Sequence, residues 1–153
     1  MRITAKADYA VRAAAELAAA QSDDLPVKGE RLAAAQGIPR TFLENILGDL
    51  RKAGIVRTKR GAEGGYLLAR PAKDISLADV LRAVEGPLAA VQGTRPEDLA
   101  YGGAARRLPE VWVAVRANLR GVLERVTLAD LAGDALPRAV ERLTAADDAW
   151  RAH

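Results

Sequence analysis

The chain contains no cysteine, which excludes disulfides, thiolate metal sites and cysteine nucleophiles together, although it does not fix the redox compartment. Its one histidine is His153, the last residue, and no Walker loop, HExxH pair or Ser–His constellation occurs. The glycine-rich run RGAEGGY, from Arg60 to Tyr66, has neither the spacing nor the following helix of a nucleotide fingerprint. Enzyme chemistry is therefore not expected. Aromatic residues are only 4% of the chain, which leaves no stacking platform for single-stranded RNA. Long apolar runs are missing too. The alanine-rich Ala13–Ala20 is bounded by Arg12 and broken by Glu16, and nothing approaches the roughly 20 residues of a membrane span. The expectation is a soluble, cytoplasmic protein with no membrane partner.

Half of the 153 residues are hydrophobic, enough for one globular domain or a small domain with an oligomerisation element. Abundant alanine favours closely packed helices. The net charge of +3 is modest but unevenly spread: residues 1–73 carry 13 Lys and Arg against 8 Asp and Glu, whereas residues 74–153 carry 10 against 12. A basic first half suits a polyanionic partner, and an ordinary solvated surface is the plain alternative.

The stretch from Pro39 to Arg70 organises the rest. Phe42, Leu43, Ile46, Leu47 and Leu50 recur three and four apart, which predicts a helix over Pro39–Gly54 with these five on its buried stripe. Thr41, Glu44, Asn45, Gly48 and Lys52 fall on the opposite side. Gly54 is placed to close the helix in the left-handed conformation, with Arg51 and Lys52 in the last turn where the dipole favours positive charge. Ile55–Lys59 and Tyr66–Arg70, joined by Gly61–Gly65, read as a β-hairpin made basic by Arg57, Lys59, Arg60 and Arg70.

Upstream, Thr4 can cap a helix running to about Gln21, Ser22–Pro26 breaks the pattern, and Gly29–Gln36 forms a short helix ended by Gly37. Two helices in so tight a succession, the second with a polar outer stripe, predict a helix-turn-helix, and the hairpin makes it winged. Downstream, Ser76 and Asp79 start a helix over Leu77–Glu85, stopped by Gly86 and Pro87. Leu88–Arg107 reads as a loop with a helical turn near Pro96–Ala100. From Leu108, a heptad seam of Leu108, Trp112, Val115, Leu119, Val122 and Val126 calls for a partner helix. VTLADL, with Thr127 and Asp130, echoes ISLADV at Ile75–Val80 as a second use of one capping device. Pro137–His153 is a short helix or a frayed tail. The fold class is mainly α with a small β-hairpin wing. It divides into a winged helix-turn-helix over 1–73, a linking helix and loop over 74–107, and a dimerisation helix with tail over 108–153.

The outer stripe has the chemistry of base reading. Asn45 offers an amide able to pair bidentately with adenine, Glu44 can accept from cytosine's amino group, and Thr41 can bond a base edge or touch a thymine methyl. Lys52, Arg57, Lys59, Arg60 and Arg70 would contact DNA beside them, the three hairpin arginines and Lys59 by neutralising phosphates. A wing-tip arginine would favour a narrow A·T-rich minor groove. A charged edge that discourages strand addition is the plain alternative for the wing. Gly48 would let either DNA or the first helix approach closely. Trp112 is assigned to the core or the seam in preference to a ligand.

The runs FLENILGDLRKAGIVRTKRGAEGGYLLARP, TAKADYAVRAAAELA, ISLADVLRAVEGP and VTLADL together resemble the Rrf-type family of bacterial winged-helix transcriptional regulators, which includes the iron–sulfur regulator IscR and the nitric-oxide-responsive repressor NsrR. The likeness covers about residues 1–133. It implies a homodimeric regulator, most simply a repressor, that pairs through its long C-terminal helix and reads an inverted repeat in double-stranded DNA. By position it assigns base contacts to Thr41, Glu44 and Asn45, and a minor-groove contact to Arg60. Many members hold an iron–sulfur cluster on three cysteines. Here the last cysteine position falls on Arg106 and a histidine position on Pro109, while Asp8, where some members place an acidic ligand, reads as a first-turn helix carboxylate. The resemblance thus implies a cluster-free member with no cofactor, controlled by an unidentified small-molecule or protein effector. Arg95, Arg106 and Arg107 could receive an anion, or simply be solvated. The competing class is a winged-helix interaction protein that binds a metabolic enzyme or another regulator, to which Glu63 at the wing tip lends support.

Overall fold

A computed structural model describes residues 2–21 and 25–152. Residues 22–24 of the expected break at Ser22–Pro26, and His153 at the end of the tail, lie outside the described residues. Among those described, the order is α1 (Ala5–Ala19), α2 (Gly29–Gln36), α3 (Arg40–Lys52), β1 (Val56–Lys59), β2 (Gly65–Leu68), α4 (Leu77–Glu85), α5 (Leu108–Leu123), α6 (Leu128–Ala132) and α7 (Arg138–Thr144).

The hub is α1. Thr4 caps it by accepting from the Ala7 N–H at 3.0 Å, and Ala10, Ala13 and Ala14 are fully buried. Side chains this small let α2, α3, α4 and α6 all approach α1. Leu17, Leu32, Leu43, Ile46, Leu47, Leu50, Ile75, Val80 and Leu128 fill the space between. Each large aliphatic side chain removed from water there contributes roughly 1.5–3 kcal/mol.

Helix α2 ends at Gly37, whose φ of 61° lies in the left-handed region, and the Ile38 N–H returns to the Ala33 carbonyl at 3.0 Å. Pro39 then starts α3 almost at once. After α3, Gly54 (φ 72°) turns the chain, and Ile55 N–H donates to the Leu50 carbonyl at 2.9 Å, so the wing follows directly. The hairpin is antiparallel, pairing Val56 with Leu68 and Lys59 with Gly65, and is one residue shorter on β1 and two shorter at the end of β2 than expected. Val56 and Leu68 face the core.

Leu88–Arg107 is irregular apart from a bridge between Val91 and Thr94 and two 3-10 turns, at Pro96–Asp98 as anticipated and at Gly103–Ala105, which was not. The loop is pinned to α5 by Arg116 and Glu97, 2.5 Å apart. After α5 the chain returns to the hub, with Leu128 of α6 fully buried.

Two sequence assignments need correction. Phe42 is not on the buried stripe: it is 49% exposed, because Leu43, Ile46, Leu47 and Leu50 already fill the inner face. Val126 does not continue the seam. The helix α5 stops at Leu123, and Val126 is 4% exposed inside the protomer, because the capping box at Thr127 requires the chain to leave the helix first.

Candidate nucleic-acid interface

The polar stripe of α3 forms the outer edge of the helix-turn-helix. Leu43, Ile46, Leu47 and Leu50 fix its rotation, and Thr41, Glu44, Asn45 and Lys52 stand exposed on the side away from the core. They border a shallow depression closed at one side by Lys6 from α1. A Cβ at Gly48 would meet nothing within 4 Å, so this glycine leaves open space outward and is not required by contact with α1.

Ion pairs bound the stripe on both sides. On one, Lys6 Nζ lies 2.8 Å from Asp49, whose carboxyl is held below its ordinary value first by that hydrogen bond, against the opposing effect of burial. Lys52 adds a looser contact at 3.9 Å. On the other, Arg40 pairs with Glu30 of α2 and lies 3.4 Å from Glu44. Glu30 is lowered first by its own backbone N–H and then by Arg40. The sequence reading missed Lys6 and Arg40. The i,i+4 spacing of Arg40 and Glu44 was readable, whereas no sequence signal links Lys6 to Asp49.

Beside the stripe stands the wing, with Arg57 and Lys59 on the outer side of β1 and Arg60 just beyond it, all exposed. The wing is braced by paired backbone bonds between Val27 and Tyr66, at 2.9 and 2.8 Å. Its tip closes tightly: a Cβ at Gly64 would sit 2.2 Å from the Lys59 carbonyl oxygen, so only glycine fits. Arg70 stands apart from this group. It donates to the Asp74 carbonyl at 3.1 Å and lies 3.7 Å from Asp79, tying the end of the hairpin to the start of α4.

The seam residues lie elsewhere, on α5, none of whose residues is fully buried. Leu108, Trp112, Val115, Leu119 and Val122 are partly buried, and Val111 is 52% exposed. Val115, Leu119 and Val122 line an open apolar channel with Leu143 of α7. The Trp112 indole N–H is buried without an acceptor.

Comparison with known proteins agrees with this geometry. The model of the Rrf2 family, described as an iron-dependent transcriptional regulator, matches residues 3–134. An HTH-type transcriptional regulator of Mycobacterium tuberculosis H37Rv is 55% identical over 148 residues, covering 97% of this chain and 90% of the relative. CymR of Bacillus subtilis, described as that organism's global cysteine regulator, superposes with a TM-score of 0.72 at 32% identity, covering 86% of this chain and 96% of CymR. IscR of T. potens gives 0.70 at 31%, covering 100% and 93%.

The residues present do not fit the iron centre that the family description implies. There is no cysteine, and among the described residues no group of three or more His, Asp or Glu is disposed to hold a metal. Asp8 is engaged by Arg12 at 2.9 Å and Glu97 by Arg116.

Proposed function

Because this chain belongs to the Rrf2 family of DNA-binding transcriptional regulators, which are not enzymes, we propose that it acts as a homodimeric repressor on an inverted-repeat operator, without an iron–sulfur cluster. The observation that carries this reading is the exposed polar stripe of α3 held beside a basic wing that is braced to the core. Thr41, Glu44 and Asn45 enter the major groove, where amide, carboxylate and hydroxyl groups can each match a base-edge pattern. Arg60 enters the adjacent minor groove, and Lys52, Arg57 and Lys59 contact phosphates. Arg70, occupied by Asp74 and Asp79, sets the wing's angle.

Two copies pair through α5. Its apolar stripe is only partly covered within the protomer, and Val115, Leu119 and Val122 line an open channel there. A narrow heptad seam is stable only against another helix.

Selection of bound sequences from a random duplex pool, with metal-free protein at near-physiological salt, tests the reading. The expected result is an enriched inverted repeat. Salt-sensitive binding without enrichment overturns it in favour of an interaction protein that binds an enzyme or another regulator.

A further inference from the structure

The geometry points to Phe42 as a specificity-determining residue that recognises thymine through its 5-methyl group. The inference rests on the DNA-binding reading of α3 and extends it to a residue whose apolar character assigns it to the core. Phe42 lies in the first turn of α3, next to Thr41 and bordering the same depression as Asn45. The N-terminal residues of a recognition helix are the ones that reach base edges, and among the bases only thymine presents a methyl group in the major groove.

A single exposed hydrophobic residue is ordinary on a protein surface. Phe42 differs because the structure fixes it. Its ring meets Tyr9 of α1 edge to face, with centroids 6.0 Å apart and planes at 84°. Tyr9 lies under the Arg12 guanidinium, 5.4 Å from the ring centroid, and Arg12 is anchored by Asp8 at 2.9 Å and by the Gln36 side chain at 3.0 Å. One side of the Phe42 ring is thus packed while 49% of the residue stays open beside the polar readers. An apolar surface positioned before binding loses little freedom on contact, so covering a methyl group with it adds discrimination directly.

The test uses the selected operator, with deoxyuridine replacing thymine one position at a time, titrated against the wild-type dimer, Phe42→Ala, Phe42→Leu and Thr41→Ser. One thymine in each half-site is expected to weaken wild-type binding about fourfold when its methyl is removed, the worth of one methyl-sized group. Phe42→Ala should bind both duplexes equally at that position. Thr41→Ser should keep the wild-type ratio. Phe42→Leu, which keeps an apolar contact with Tyr9, stands in if the alanine variant does not melt cooperatively, and should show a reduced ratio. The inference is overturned if no thymine is methyl-sensitive with wild-type protein, if the position 42 variants keep the full ratio, or if Thr41→Ser abolishes it. Failure to enrich any operator is a separate result and removes the DNA-binding reading itself.

Discussion

Ser76 and Thr127, distant in sequence, face one another across an antiparallel backbone bridge. Each is the N-cap of its own helix. Ser76 accepts from the Asp79 N–H at 3.1 Å while Asp79 accepts from the Ser76 N–H at 3.0 Å, and Thr127 and Asp130 repeat the exchange at 3.1 and 2.8 Å. Leu77 N–H donates to the Val126 carbonyl and Leu128 N–H to that of Ile75, both at 2.9 Å. The echo between ISLADV and VTLADL is therefore one capping device used twice and docked on itself. It returns the chain after α5 to α1, so that the proposed dimer helix leaves and re-enters a single body.

Removing either cap should cost about 1 kcal/mol of folding stability in urea unfolding, for Ser76→Ala or Thr127→Ala. Because the two caps share a bridge, the double variant should cost less than the sum by more than about 0.5 kcal/mol. Strict additivity would mean that the bridge forms independently of its caps.

Glu124 lies between Arg82 and Arg120, and hydrogen bonds from Arg82 first and Arg120 second hold its carboxyl below the ordinary glutamate value. A carboxyl lowered in the folded state stabilises the protein above its unfolded pKa, and that contribution disappears as pH falls through the folded value. Wild-type protein should melt slightly above Glu124→Gln at pH 7, by a small margin because the pair is solvent-screened. The margin should close below about pH 4. Scanning both proteins by calorimetry across this range checks the sign.

The ends of α2 and α4 were legible to the residue, because Gly37 and the Ser76, Asp79 and Gly86 set write them explicitly. Phe42 was misplaced because periodicity records apolar character and not whether the opposing space is already full. Val126 sat where two signals overlapped, a heptad position and the residue before an N-cap, and the cap prevailed because its backbone must be extended at Thr127. The charge of Arg70 was readable, but its direction depends on Asp74 and Asp79, which only the turn after Pro71 brings near. Lys6 escaped for a similar reason, since its partner Asp49 belongs to another helix.

Assembly is tested by Leu119→Glu. The wild type should sediment as a dimer of 16.2 kDa protomers, and the variant as a protomer. Because α5 contributes no fully buried residue to its own protomer, the variant should keep its helical circular dichroism and cooperative melting. A charge in a narrow heptad seam is left desolvated opposite its own symmetry mate, which is why one substitution suffices. A folded variant that remains dimeric would move the interface off α5.

The division between base readers and phosphate clamps separates two kinds of loss. Asn45 is exposed on α3 with an amide that matches adenine's donor and acceptor, so Asn45→Ala should cost about 1–3 kcal/mol on the selected operator and flatten base preference at one position. Lys59 is exposed on the wing, where contact with phosphate carries no sequence information. Lys59→Ala should therefore weaken operator and unrelated duplexes alike, and lower the slope of log affinity against log salt by about one unit. Titrations of both variants on both duplexes at several salt concentrations distinguish these outcomes. Identical behaviour would mean that α3 and the wing contact the same feature of the duplex, and that the polar stripe reads no bases.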